Sequence, residues 1–146
     1  MAEYVLTKED EPAAEDVQSL VGGLVSYNDS KAEPEDYRPV TIFVRDGGGR
    51  VVGGLRGHTG WGWLFISHLW VSEALRGQDY GTELLRAAER EAISRGCRHA
   101  HLDTFSFQAR GFYERRGYEV FGSLEDYPAG HTRFFLRKLD LPGGAA

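Results

Sequence analysis

The chain has 146 residues, a formal net charge of −5 and one cysteine. That length accommodates one domain with a substantial core and needs no metal or disulfide staple. A lone cysteine excludes an internal disulfide and a cysteine-built zinc site, and the net charge argues against nonspecific nucleic-acid binding.

No apolar run is long enough to cross a bilayer, and the acidic start MAEYVLTKEDEP lacks the features of a secretory signal, so a reducing, cytoplasmic setting is expected. Charge is unevenly spread. Residues 1–36 hold ten acidic residues and two basic ones, whereas the remainder holds 12 acidic and 15 basic. The first stretch is therefore suited to meet a cation and the rest to meet phosphates, although ordinary solvated faces would also produce such a split.

In chain order, Tyr4 to Thr7 reads as a short strand. Glu11 to Tyr27 reads as a helix with Val17, Leu20, Val21, Leu24 and Val25 on one face at a period of 3.6. Asn28 to Pro39 reads as a loop. Val40 to Arg45 and Val51 to Leu55 flank Asp46-Gly47-Gly48-Gly49, the composition of an antiparallel hairpin. After a turn at Gly57 to Gly62, the almost wholly apolar run Trp63 to Val71 predicts a strand in the middle of a sheet, buried on both faces. A glycine-containing loop, Arg76 to Gly81, then leads into a helix from about Thr82 to Arg95. Leu84, Leu85, Ala88 and Ala92 form its inner stripe, Glu91 can pair with Arg95, and Gly96 suits the position just past the end. Arg98 to Thr104 reads as a strand, Phe107 to Arg116 as a short helix ended by Gly117, and Tyr118 to Leu124 with His131 to Leu139 as two closing strands. Residues 1–140 are expected to form the domain and 141–146 a loose tail.

The segment Leu75-Arg76-Gly77-Gln78-Asp79-Tyr80-Gly81-Thr82-Glu83-Leu84-Leu85 joins a buried strand to a helix. Backbone N–H groups at such a helix start, together with the positive end of its dipole, suit a phosphate. No Lys-Ser/Thr follows the final glycine, so this is not a nucleotide-hydrolase loop. A second motif, Ser106-Phe107-Gln108-Ala109-Arg110-Gly111-Phe112-Tyr113-Glu114-Arg115-Arg116-Gly117-Tyr118, follows one helix and one strand later. The pair resembles the GNAT acetyltransferases, whose loop reads Arg/Gln-x-x-Gly-x-Gly/Ala and whose later signature reads Asn-x-x-Ala-x-x-Phe-Tyr-x-x-x-Gly-Phe/Tyr. Asp79 stands where the family has its middle glycine, and Ser106 where it has asparagine.

The resemblance, which runs from about Tyr4 to Leu139, implies an α/β fold with a mixed, mostly antiparallel sheet of about seven strands and helices on both faces. It also implies an acetyltransferase that moves an acetyl group from acetyl-CoA, its co-substrate, to a primary amine without a metal. Cofactor contacts are expected from Leu69, Trp70 and Val71, from Arg76, Gly77, Gln78, Asp79, Tyr80, Gly81 and Thr82, and from Ser106 and Tyr113. Arg86, Arg110, Arg115 and Arg116 are further candidates to face the phosphates. Tyr113 matches the family tyrosine that protonates the leaving thiolate. An amine acceptor is mostly protonated at neutral pH, so a base is needed; Glu73 is the first candidate, with Asp103 and His68 beside it. The acidic first quarter lies on the acceptor side in this family, which favours a cationic small molecule or a protein or peptide amine. A homodimer is the default assembly. The main rival is a noncatalytic acyl-CoA-binding domain of the same fold. His99, His101 and Asp103 alternate along one strand and share a face, a spacing that could hold a metal but is ordinary for a covered strand. Cys97 reads as a small buried hydrophobe rather than an acyl-accepting nucleophile.

Overall fold

The computed structural model describes residues 3–144 and divides the chain into two units, residues 1–34 and 35–146. In the first unit, residues 3–9 take no regular structure, and Tyr4, Val5 and Leu6 are exposed. The strand expected at Tyr4 to Thr7 is therefore absent: four residues of suitable composition form a strand only where a neighbour completes their hydrogen bonds. Helix α1 spans Ala14–Lys31, overrunning the predicted end at Tyr27 and shortening the expected loop. Glu15 and Asp16 sit in its first turn and Lys31 in its last, which suits the helix dipole.

In the second unit, six strands form a mixed sheet in the order β1-β2-β3-β4-β6-β5. β1 (Arg38–Arg45) and β2 (Val51–Gly60) make the expected hairpin, and Gly49 at its turn takes a positive φ of 85°. β3 (Trp63–Val71) pairs antiparallel with β2, and β4 (His99–Phe105) pairs parallel with β3. β6 (Thr132–Lys138) separates β4 from β5 (Glu119–Glu125) and is antiparallel to both.

Helix α2 (Tyr80–Ser94) buries Leu84, Leu85, Ala88 and Ala92, the predicted stripe, and ends at Gly96 with φ 88°. The core it joins is drawn from one face of the sheet, including Val40, Leu55, Leu64, Ile66, Ala100, Leu102 and Leu136. β3 is central in the sheet but is not buried throughout. Leu64 and Ile66 are buried, whereas Ser67, His68 and Trp70 are exposed, because alternate residues point toward α2 and the irregular register at Ser67 shifts the alternation. Cys97 is buried, and burial pushes its thiol pKa up, as expected of a packing residue.

Helix α3 is shorter than predicted, Arg110–Glu114, with Gly117 beyond it at φ 92°. Leu141, fully buried, opens the short helix α4 (Leu141–Gly144); Ala145 and Ala146 of the expected tail lie outside the described residues. Among the described residues no helix is long and apolar enough to cross a membrane.

Inside the core, Glu89 of α2 is buried with Lys138 of β6, Nζ to Oε2 3.3 Å, and accepts a hydrogen bond from Tyr118 Oη at 2.7 Å. Burial, then the neighbouring carboxylate, drives the Tyr118 pKa far above that of an ordinary phenol. Buried charge of this kind persists only when paired and hydrogen-bonded.

Candidate active site

The site begins with a break in the sheet. The β3–β4 ladder runs from Trp63↔His99 to Ile66↔Leu102 and stops. From there β3 stays with β2 through Gly53↔Val71, while β4 stays with β6 through Phe105↔Arg133. The facing edges of residues 67–71 and 103–105 are consequently outside any ladder between these two strands. A bulge starts the divergence. Gly57 faces Ile66 and Arg56 faces His68, which leaves Ser67 without a partner in the register. The Ser67 hydroxyl bonds the Arg56 carbonyl at 3.0 Å. Gly57 is required here, since a Cβ would lie 2.1 Å from the Phe65 carbonyl oxygen.

β3 delivers the chain through the 3-10 turn Glu73–Leu75 into the start of α2. Asp79 occupies the N-cap in the left-handed region, φ 66° and ψ 13°, and its carboxylate does not cap the helix. Asp is among the few side chains that tolerate this conformation. The first-turn N–H groups thus have no side-chain acceptor at the cap, the condition under which a helix start takes an anion. Arg116 adds a full positive charge: its Nε donates to Thr82 Oγ1 at 2.9 Å and its Nη1 to the Phe112 carbonyl at 2.8 Å, with the guanidinium 3.8 Å from the Phe112 ring centroid. Phe112 also closes on Gly81, where a Cβ would meet the ring at 3.3 Å. The two sequence motifs are therefore locked together by Arg116, Thr82, Phe112 and Gly81. Arg76, Gly77 and Gln78 are exposed on the loop, where the Gln78 amide donates to the Ala74 carbonyl at 3.3 Å.

Tyr113 is buried on α3, its ring edge-on to Phe112 at 5.1 Å. Desolvation, reinforced by the Asp103 carboxylate, pushes its phenol up to about 12, so it is protonated at neutral pH and has a proton to donate. Asp103, just past the end of the ladder, is held by Arg133 through Nε at 3.0 Å and Nη2 at 2.9 Å; Arg133 Nη1 donates to Tyr127 Oη at 2.9 Å.

Of the other predicted site residues, Glu73 is exposed and its carbonyl closes the 3-10 turn by accepting from Arg76 N at 3.2 Å. His68 is exposed and bonds Ser67 Oγ at 2.9 Å. Arg110 pairs with Glu114 at 3.0 Å and lies over Phe134. Ser106 Oγ lies 3.1 Å from His131 Nδ1 and accepts from Thr132 N at 3.1 Å, tying the end of β4 to the start of β6. His99, His101 and Asp103 share one face, yet no group of three or more His, Cys, Asp or Glu that could hold a metal exists among the described residues. Sequence reading missed the Arg116–Thr82 and Asp103–Arg133 pairs, which join residues 34 and 30 positions apart. The usable hint for the second was the strand pairing itself, which sets Arg133 opposite Phe105, two residues from Asp103.

Comparison with known proteins agrees with this geometry. The sequence matches the Acetyltransferase (GNAT) family over residues 8–118. It is 40% identical over 125 residues to Acetyltransferase Atu2258 of Agrobacterium fabrum, covering 86% of this chain and 91% of that protein. It is 43% identical over 91 residues to Blasticidin-S acetyltransferase of Streptomyces morookaense, covering 62% of this chain and 67% of that protein. The crystal structure of an acetyltransferase from Bacillus cereus superposes with a TM-score of 0.83 at 32% identity, over 91% of this chain and 97% of that one. A sheet parted beside an uncapped, arginine-flanked helix start and these relatives lead to one conclusion: the chain belongs to the GNAT acetyltransferase family and is an acyl-CoA-dependent acetyltransferase.

Proposed function

We propose that the protein transfers the acetyl group of acetyl-CoA directly to a primary amine, either of a small cationic molecule or of a peptide. The observation that carries the reading is the parting of β3 and β4 beside the start of α2. This opening gives an extended ligand a path from a phosphate seat to a break in the sheet.

The residues present fit acetyl-CoA, which supplies the activated acetyl thioester. The N–H groups from Gln78 to Thr82, with the Arg116 charge behind them, hold the pyrophosphate. Arg76 and Gly77 extend that seat. The backbone of Leu69, Trp70 and Val71 binds the pantetheine amides and polarises the carbonyl, where preorganised donors are most effective. Ser106 flanks the opening at the end of β4. Tyr113 donates a hydrogen bond to the sulfur as negative charge develops there. With its pKa near 12 against about 8.5 for a thiol, full proton transfer would cost roughly 5 kcal/mol in the absence of other changes. Its contribution is therefore hydrogen bonding first, with the proton following as the thiolate separates.

A small basic acceptor is supported by the similarity to the blasticidin-S enzyme and by the acidic bias of residues 1–36. Glu73, exposed on the turn after β3, contributes a carboxylate that favours a cationic acceptor. Thermal unfolding with and without acetyl-CoA, with ATP and NAD as controls, tests the cofactor. A ligand at one hundred times its Kd stabilises by about 2.7 kcal/mol, a Tm rise of roughly 5–10 °C for a protein of this size. A free-thiol assay over basic, neutral and acidic amines then tests the acceptor. Equal shifts with all three nucleotides, or a preference for acidic amines, would overturn the respective half of the proposal.

A further inference from the structure

We infer that His101 takes the proton from the incoming ammonium group, an inference that rests on the amine-acetylation reading above. The geometry starts from the two faces of the sheet. α2 packs on the face that carries Leu64, Ile66, Ala100 and Leu102, and the phosphate seat is at its start. A thioester threaded from that side into the opening between β3 and β4 presents its carbonyl toward the opposite face. There the residues flanking the end of the ladder are Phe65, paired with His101, and Asp103, one residue past the last pair.

On β4, two ionisable groups therefore flank the opening on the acceptor face. The Asp103 carboxylate is engaged on both oxygens by Arg133, so its acceptor positions are already occupied by that guanidinium. His101 differs. Its ring lies 4.8 Å from Phe65 and edge-on to Trp63 at 5.6 Å, which fixes its plane. It makes no hydrogen bond to another protein group among the described residues, and neither ring nitrogen is completely buried, since no buried side-chain polar atom there lacks a partner. The charged and titratable groups around it are His58 across Phe65, His99 and Asp103 on the same strand, and Arg137, its partner on β6, which is itself paired with Glu119 at 3.0 Å. Desolvation first, then His58, lowers the His101 pKa against an opposing pull from Asp103. The ring is thus neutral at physiological pH and has a lone pair to offer.

The step balances. One proton passes from the ammonium nitrogen to an imidazole nitrogen of His101, and the freed lone pair forms the C–N bond. The C–S bond breaks, and the thiolate leaves with its charge met by the Tyr113 hydroxyl. Removing the second amine proton to solvent gives the neutral amide.

Three measurements decide the matter, the first of them independent of turnover. Proton NMR titration of the wild-type protein should give His101 a midpoint below the ordinary 6.5. Second, kcat/KM of the wild type, with whichever amine of the panel is acetylated, should reach a plateau above that same midpoint. Third, His101→Gln should lose roughly a hundred- to ten-thousand-fold near pH 7. Its rate should then climb about tenfold per pH unit toward the pKa of the amine, because only the free amine reacts. Glu73→Gln, by contrast, should raise KM for cationic amines and leave the acid limb in place. A His101→Gln enzyme that keeps the wild-type plateau overturns the inference, as does a His101 midpoint more than a unit away from the acid limb, which needs no variant. Failure of the wild type to acetylate any amine instead overturns the function proposed above and this step with it.

Discussion

Asp79→Gly isolates the effect of one carboxylate on a phosphate seat. Asp79 caps α2 in the left-handed conformation, φ 66° and ψ 13°, and makes no cap hydrogen bond, so the glycine variant loses no helix-capping interaction. Relief of an L-residue from this region is worth about 1 kcal/mol, while the extra freedom of glycine in the unfolded chain costs about 0.4–1 kcal/mol. The two nearly cancel, and Tm should move little. Binding has no such offset. A carboxylate roughly 7 Å from a pyrophosphate in water repels each unit charge by about 0.6 kcal/mol, or about 1 kcal/mol for two charges. Calorimetry should therefore show acetyl-CoA binding roughly threefold to tenfold tighter in the variant at low salt. The advantage should shrink as the ionic strength rises past physiological, where the screening length falls below about 8 Å. A dissociation constant that is unchanged or weaker, with Tm unchanged, would refute the placement of the phosphates beside Asp79.

Tyr113→Phe should lower kcat by about 10–100-fold with little change in KM for acetyl-CoA; undiminished turnover would remove the phenol from the mechanism. The same side chain makes stability pH-dependent. Its pKa is about 12 when folded and about 10 when unfolded, so its contribution is complete below pH 10 and is lost between pH 10 and 12, on the order of 2–3 kcal/mol at most. Urea titrations of wild type and Tyr113→Phe across that window should diverge by a comparable amount. Arg116→Gln should weaken acetyl-CoA about tenfold and flatten the dependence of Kd on salt, because it removes the cation tied to Thr82. Gly57→Ala should cost roughly 2–4 kcal/mol, since its Cβ would meet the Phe65 carbonyl oxygen at 2.1 Å. Gly22→Ala in α1, where nothing lies within 4 Å, should instead gain up to about 1 kcal/mol; equal urea midpoints for the two variants would contradict both.

What could be read from the sequence divides along a physical line. The extent of β3, Trp63–Val71, and the buried stripe of α2, Leu84, Leu85, Ala88 and Ala92, are local patterns carried by neighbouring residues, and both were legible; that β3 buries only part of its length was not. The segment Tyr4 to Thr7 has strand composition yet forms no strand, because composition cannot supply a hydrogen-bonding partner. The polar pairs that hold the site, Arg116 with Thr82 and Arg133 with Asp103, depend on which strands and helices become neighbours, and nothing local to any of the four residues announces it. The Arg76–Gly81 loop was legible as an anion seat from its place at a helix start, whereas the motif around Phe112–Tyr113 was legible only through resemblance; their connection is a physical contact between Phe112 and Gly81.

The opening between β3 and β4 lies between these cases. Its cause is local and can be seen in retrospect. Gly57 lies within β2, and next to its partner Ile66 the polar pair Ser67 and His68 interrupts an otherwise apolar β3. A glycine inside one strand and a small polar residue in its partner are the composition of a bulge. A bulge adds one residue to β3 without adding one to β2, so β3 must bend. β4 is held straight on its other side by β6 through Phe105↔Arg133, so it does not follow, and the parallel ladder ends at Ile66↔Leu102. The opening between β3 and β4 thus follows from one unpaired residue in a central strand. It follows that Ser67 can be exchanged for alanine at modest cost, whereas deleting it should return the register of residues 68–71 to that of residues 63–66 and close the cleft. The deletion variant should retain a cooperative unfolding transition and lose the acetyl-CoA-induced rise in Tm. A deletion variant that still binds acetyl-CoA with wild-type affinity would show that the bulge is not what holds the strands apart.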